Sequence, residues 1–428
     1  MLGDTPAITE VVIRAYEPIE NGLEIETSAA PGEDFDLGEV ADSKLLVFEL
    51  TGKTADGDVK ARGRSVAVSL ADELPSVLPI FIQRLGGFAR LPTGIERPHV
   101  RGQAAVLGER FLVLTGGERA IGEDGEEDAA FIERYDLLLM SGESSASVLA
   151  RTARTLVILD DTALLVGDDG ATFQNLVDGT TSEASAPDDF SFGDVAGGLV
   201  VDSLDADKPI FIVGGTRQGD ASDAVFMVDR DSGDISARRL VEPRAGAAAI
   251  YVAGTGLVIV GGSGNEPGVE IVREEDFSVS ALPLPADTTT GAAVAIFNAD
   301  EHKIAVFGGR MEGDIASPSR VLDVGCVTAD DCAEKVVTLA DDATLGEMAS
   351  RGSAFTTPRG VLVVGETPTG ETIAFLVDVA AEEVTSLPLR EPRRGASVLP
   401  APNGTLALIG GETLDGAAAH SIELFFPE

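Results

Sequence analysis

The sequence predicts an all-β protein: a seven-bladed β-propeller, with six blades as the fallback, behind a small N-terminal β-sandwich. Three observations carry this. Short runs of Val, Ile, Leu and Phe bounded by Gly, Asp and Pro recur along the 428 residues, and long helical patterns are hard to find. A strand ending in glycine returns seven times at intervals of 45–57 residues, and a period near 50 built from short strands marks propeller blades. The first eighty or so residues alternate apolar and polar positions outside that period.

Residues 1–84 come first. "ITEVVIRAYEP", "GLEIETS", "SKLLVFELTG", "VKARGRSVAVSL" and "LPIFIQRL" alternate at strand period, and Asp56-Gly57 supplies a hairpin turn. The segment is similar to the immunoglobulin-like modules that precede propellers in some secreted bacterial proteins. About five strands are fewer than a full sandwich has, so the module is expected to lean on the propeller.

Residues 85–428 hold the repeats. The strands "FLVLTGG", "ALLVGDD", "FIVGG", "LVIVGG", "IAVFGG", "VLVVGE" and "LALIGG" place the first glycine at Gly116, Gly167, Gly214, Gly261, Gly308, Gly365 and Gly410. A strand of small residues precedes each, as in "RAGAAAIYV" and "TGAAVAIF", which suits crowding around a central axis. A third strand and turn follow: Asp229, Arg273 and Asp378 lie six positions before Ile235, Val279 and Val384. A phosphate-binding loop would need a helix and a lysine after the glycines, and "TRQGDASDAV" offers neither. The glycine pair therefore reads as a backbone device that lets the chain leave the second strand.

This layout resembles the Kelch-repeat family of β-propellers over roughly residues 81 to 428. The matching features are the paired glycines, the Asp of the third-strand turn and the Arg-Gly before the first strand. The family's Tyr and Trp are missing: the chain has no Trp, and Ile235, Val279 and Val384 take the Trp-like places. Asp168 and Glu366 replace the second glycine in two copies. The seventh copy, from Arg394 to Glu428, has only three strands, and residues 86–92 are expected to complete it and close the ring.

Composition narrows the partners. A net charge of -41, from 72 acidic and 31 basic residues, argues against nucleic acid and anionic lipid. No apolar run reaches the ~20 residues of a membrane helix. "MLGDTPAITE" lacks a leader's basic start and apolar core. Cys326 and Cys332, in "GCVTADDCAE", are close enough to close a small disulfide loop, which points to an oxidising, extracytoplasmic setting (secreted, periplasmic or surface-anchored) and a leader absent from this chain.

Chemistry is sparse. Copper-radical oxidases with the Kelch fold use two Tyr, two His and a Tyr–Cys crosslink; here Tyr16, Tyr135 and Tyr251, and His99, His302 and His420, are scattered, with both Cys in one insert. Sialidase boxes need Trp, and a Gly-x-Ser-x-Gly elbow is absent. Calcium has two candidate loops, "GEDGEEDAA" and "DRDSGD", though neither matches a full calcium loop and a solvated turn explains both. No metal site or cofactor is expected.

Arg101, Arg154, Arg244, Arg351 and Arg394 recur just before first strands. Facing one mouth of the channel, they would attract a carboxylate, a phosphate or an acidic loop; paired with neighbouring acids such as Glu242 or Glu391, they would staple blades together. The functional expectation is a non-catalytic extracytoplasmic scaffold recognising a protein or glycan through its loops. The inserts around Cys326 and "GERAIGEDGEEDAAF" are the candidate contacts. The alternative is a carbohydrate-active enzyme of sugar isomerase or lyase type, working in the mouth.

Overall fold

The computed structural model describes residues 6–18, 22–37, 44–69, 77–118, 130–142, 147–203, 205–217, 219–263, 268–282, 284, 289–311, 314–326, 334–336 (backbone) and 345–427. The protein is all-β: its described elements are antiparallel strands, apart from one 3-10 turn at Phe192–Asp194.

The N-terminal strands form one sheet. Glu10–Tyr16 lies between Leu23–Ala29 and Leu45–Lys53, and the latter continues to Val59–Arg64 and Ile82–Arg84. Where a sandwich would set a second sheet, the apolar side chains of this one (Ile13, Leu46, Phe48) are met by Phe35, Leu37, Leu78 and Ile80 from connecting segments. Val66, Val68 and Phe81 leave that cluster and pack with Leu112, Leu399 and Leu424 of the repeat region.

Together with three two-stranded sheets in the connecting segments, seven larger ones follow among the described residues, each with a run of four antiparallel strands. Their first strands are Gln103–Leu107, Thr155–Leu159, Leu199–Val201, Ala248–Val252, Ala293–Asn298, Ser350–Thr357 and Ser397–Pro400. We number the sheets 1 to 7 in that order. Sheet 7 has three consecutive strands, and its fourth is Phe88–Gly94, which pairs with Ser421–Phe425 in the register Phe425↔Phe88 and Leu424↔Ala89.

Apolar residues fill every interval between successive sheets. Val113 packs with Leu165 between sheets 1 and 2, and Leu164 with Phe226 between 2 and 3. Phe211 stacks on Tyr251 between 3 and 4, and Val258 meets Ile304 between 4 and 5. Phe307 meets Phe375 between 5 and 6, Leu362 meets Leu408 between 6 and 7, and Ile409 meets Leu114 between 7 and 1. The packing thus runs in a circuit. Ile235, Val279 and Val384 each pack into the interval with the preceding sheet, the work a larger aromatic would do there.

The glycine pairs leave the second strands with positive φ, for example Gly410 at 74° and Gly411 at 93°. A Cβ on Gly411 would fall against the carbonyl oxygen of Arg394. Gly411→Ala is expected to cost about 1–3 kcal/mol, because strain and the clash act together. Thermal unfolding checks this; an unchanged Tm would mean the loop relaxes freely.

Candidate functional site

The arginines before the first strands do not form one ring. Aligned by sheet register, the position four residues before the first strand carries His99, Arg151, Val195, Arg244, Thr289 and Arg393 in sheets 1 to 5 and 7. In sheet 6, where a bulge follows Ser350, Met348 packs in this place. The facing third-strand position carries Glu133, Thr172, Phe226, Glu270, Arg320, Phe375 and Glu423.

In six of the seven sheets, all but sheet 5, the two positions match each other in chemistry. Arg244 Nε donates to Glu270 at 2.8 Å, and Arg393 Nη2 to Glu423 at 2.9 Å. Arg151 Nε donates to Thr172 at 3.0 Å, and the His99 ring lies 3.5 Å from Glu133. Val195 with Phe226, and Met348 with Phe375, are the apolar versions. Glu133, Glu270 and Glu423 each also accept two backbone N–H bonds from the segment that enters the sheet, such as Arg390 and Glu391 to Glu423 at 2.8 Å. The pairs of sheets 1, 4 and 7 are buried clamps, paired inside the protein.

Arg244 is therefore a structural residue, 2 % exposed. Its acid is Glu270 on its own sheet, and Glu242 contributes only a backbone N–H to the same carboxylate. Arg154 pairs with Asp168 at 2.6 Å, the acid standing where sheet 2 lacks its second glycine. Arg101, Arg351 and Arg394 do converge. Arg351 donates to the carbonyls of Arg101 and Gly102 and to Ser397, reaching from sheet 6 to sheets 1 and 7. Arg101 and Arg394 both lie against Gly370.

Beside them is a polar cavity of about 480 Å³, lined by Arg101, Arg310, Asp314, Glu366, Thr290, Ser350, Thr367, Thr369 and Pro368. Sequence reading missed Arg310, Asp314 and Glu366 as site residues. The available signal was the broken glycine pair, since Glu366 stands in the second glycine's place and Arg310 directly follows an intact pair.

Glu366 is 3 % exposed and its Oε2 accepts from Ser350 at 3.3 Å. Its Oε1 has no hydrogen-bond partner, although Arg351 Nε stands 3.5 Å away. Burial pushes its pKa above the usual carboxylate value, and Arg351 and Arg101 only partly offset this. An acid whose pKa is raised on folding holds its proton more tightly in the native state. The stability it lends is present below the ordinary Glu value and is lost as pH rises through the raised one. Glu366→Gln is thus expected to raise Tm at pH 7, with the gain shrinking toward pH 4. Melting curves across that range check it, and an equal gain at both ends would count against the linkage.

Of the other candidates, Asp229 Oδ1 accepts from the Asp231 and Ser232 amides and from the Ser232 hydroxyl, so turn bonds hold its carboxyl below the usual range. Cys326 is 5 % exposed, with its sulfur 3.4 Å from the Asp323 carbonyl oxygen, and there is no free cysteine among the described residues. Cys332, most of its insert and residues 119–129 of the acidic first-copy loop lie outside the described residues. Among the described residues, no cluster of His, Cys, Asp or Glu could hold a metal ion, and no helix is long and apolar enough to cross a membrane. At the far ends of the first strands a second, apolar cavity of about 340 Å³ is lined by Ile250, Ile296, Phe355, Pro400 and Leu406.

No family model matches the chain, and no curated protein matches it. Among solved structures it is similar to a fungal alcohol oxidase of the AA5 family in complex with copper, at 14% identity and TM-score 0.39 over 80% of this chain and 76% of that one. It is also similar to YCF48 bound to D1 peptide, at 10% identity and TM-score 0.45 over 80% of this chain and 95% of that one. A third is BBS1N in complex with ARL6DN, at 12% identity and TM-score 0.44 over 79% and 95% of the two chains.

Proposed function

We propose that residues 85–428 are a seven-bladed propeller of the Kelch type, and that the chain is a non-catalytic scaffold working outside the cytoplasm. It recognises a protein or glycan where the loops of sheets 1, 5 and 6 meet. The observation that carries this is the polar cavity at that meeting point, with Arg101, Arg310 and Glu366 supplied by three different sheets. A mouth built from several rigid sheets suits recognition, because each loop varies without disturbing the others. Residues 1–84 act as an accessory module resting on sheets 1 and 7; its immunoglobulin-like reading requires a second sheet beyond the single one formed by the described strands.

Extracytoplasmic location goes with a Cys326–Cys332 disulfide in this reading. Non-reducing digestion and mass spectrometry test it: two free thiols in protein from its native compartment would remove that support. One observation favours the carbohydrate-active alternative, namely that burial makes Glu366 easier to protonate, as a general acid requires.

The test of the scaffold reading is Thr369→Arg, which fills the mouth from an exposed position. Capture of extracellular proteins and glycans on the immobilised wild type is expected to fall at least tenfold in the variant, with Tm unchanged. Undiminished capture would move the binding surface elsewhere.

A further inference from the structure

We infer that the polar cavity takes an uncharged saccharide, held through vicinal hydroxyl groups, rather than the carboxylate or phosphate its arginines first suggest. This rests on the reading of that mouth as the binding site. Arg101 and Arg310, which line the cavity, and Arg351 behind Glu366 each have an acid beside them, and Arg394 does not line the cavity. Arg310 stands 3.6 Å from Asp314, Arg351 3.5 Å from Glu366, and Arg101 4.0 Å from Glu118. An anion would have to compete with those acids for the guanidinium groups. It would also approach through the field of a chain carrying a net charge of -41.

What the cavity offers instead is donors and acceptors in alternation. A sugar hydroxyl accepts one hydrogen bond and donates another, so an Arg–carboxylate pair matches a hydroxyl, or two adjacent ones, without a net charge on the ligand. Two of these pairs are loose: Arg351 Nε stands 3.5 Å from Glu366 Oε1 and Arg310 Nε 3.6 Å from Asp314, and neither Glu366 Oε1 nor Arg310 Nε makes a hydrogen bond. A buried polar atom that makes no hydrogen bond is destabilising. A ligand that settles into the mouth and draws Glu366 Oε1 and the Arg310 guanidinium into its hydroxyl network removes that cost, whereas a carboxylate serves only the arginine. The cavity's roughly 480 Å³ falls within the ~300–1,000 Å³ of small-molecule sites and leaves room for one or two sugar rings. Pro368 and Ala349 give it a small apolar wall for the C–H face of a ring.

Saturation-transfer NMR and calorimetry on the full chain test this, using galactose, N-acetylglucosamine and maltose as neutral probes and glucuronate and inorganic phosphate as anionic ones. At least one neutral sugar is expected to bind, with affinity changing less than twofold between 50 and 500 mM salt, roughly the insensitivity expected of an uncharged ligand. Glu366→Gln is expected to weaken it at least tenfold, and Thr369→Arg to abolish it. Tighter binding of glucuronate or phosphate, lost at high salt, would overturn the neutral class while leaving the mouth as the site. Binding of a neutral sugar that neither substitution alters would put the sugar elsewhere and overturn the inference. No binding by any probe would also overturn it, and the capture experiment with Thr369→Arg then decides separately whether the mouth binds anything.

Discussion

Glu423→Ala is expected to destabilise the protein by about 3–5 kcal/mol, because it leaves the Arg393 guanidinium buried without its main acid. Arg393 and Glu423 are both 0 % exposed. Glu423 also accepts the amides of Arg390 and Glu391, so the substitution frees two backbone donors at the entrance to sheet 7. What remains to Arg393 is Glu391 at 3.2 Å, Ser421, and the carbonyls of Gly410, Ser421 and Glu391. The chain itself supplies the control. Sheet 6 fills the same two positions with Met348 and Phe375. The double substitution Arg393→Met with Glu423→Phe is expected to cost less than Glu423→Ala alone, since it buries no unpaired charge. Urea denaturation of the single and double variants reads the coupling. Simple additivity, or a loss below about 1 kcal/mol for Glu423→Ala, would mean that water reaches the cluster and that the clamp is not a buried ion pair in solution.

That cluster also marks where sequence reading stops. The glycine pairs and small-residue strands are local signals, because backbone conformation and strand crowding act between chain neighbours. They are legible at Gly116, Gly261 or Gly410 without knowledge of the rest. The clamps join residues 26 and 30 positions apart, and nothing in the intervening sequence announces which acid a given arginine meets. "EPRAGA" and "EPRRGA" align without a gap, by the proline and by the glycine alike, and put Arg393, not Arg394, in the place of Arg244. The buried bonds follow that alignment. A shift of one residue, from Arg393 to Arg394, separates a fully buried arginine from one at the mouth.

The mouth was half legible for a related reason. Arg101, Arg351 and Arg394 show as basic residues before first strands, but their convergence depends on which sheets are neighbours around the circuit. Glu366 looks like a lost glycine in the sequence. Only the packing of sheets 6, 7 and 1 shows that its carboxylate is enclosed beside Arg351. The N-terminal segment is legible one strand at a time: alternation there predicts strands, yet it is silent on whether strands share one sheet or divide between two.

Phe88→Ala is the second substitution with a large expected effect, about 3–5 kcal/mol, because Phe88 is a core side chain 1 % exposed on the strand that completes sheet 7. Its ring lies 5.6 Å from that of Phe425, and it packs with Leu362, Leu387 and Leu406 between sheets 6 and 7. The strand is held by no covalent link to the rest of that sheet. Its backbone bonds with Ser421–Phe425 and its buried side chains join the two distant ends of the repeat region, beside the packing of sheet 7 on sheet 1. Losing the phenyl ring therefore weakens a seam as well as leaving a cavity, and exposes the edge of Ser421–Phe425 to pairing with other chains. Arg90→Ala, on the same strand but with its side chain 55% exposed, is expected to change stability by less than about 1 kcal/mol. The variants should also differ in kind: Phe88→Ala is expected to aggregate on mild heating and to become sensitive to proteolysis near both Phe88 and Phe425, while Arg90→Ala should not. If proteolysis of Phe88→Ala instead began elsewhere in the circuit, with the Phe88 and Phe425 strands still protected, the seam would not be the weak point, and closure would rest on the inter-sheet core alone.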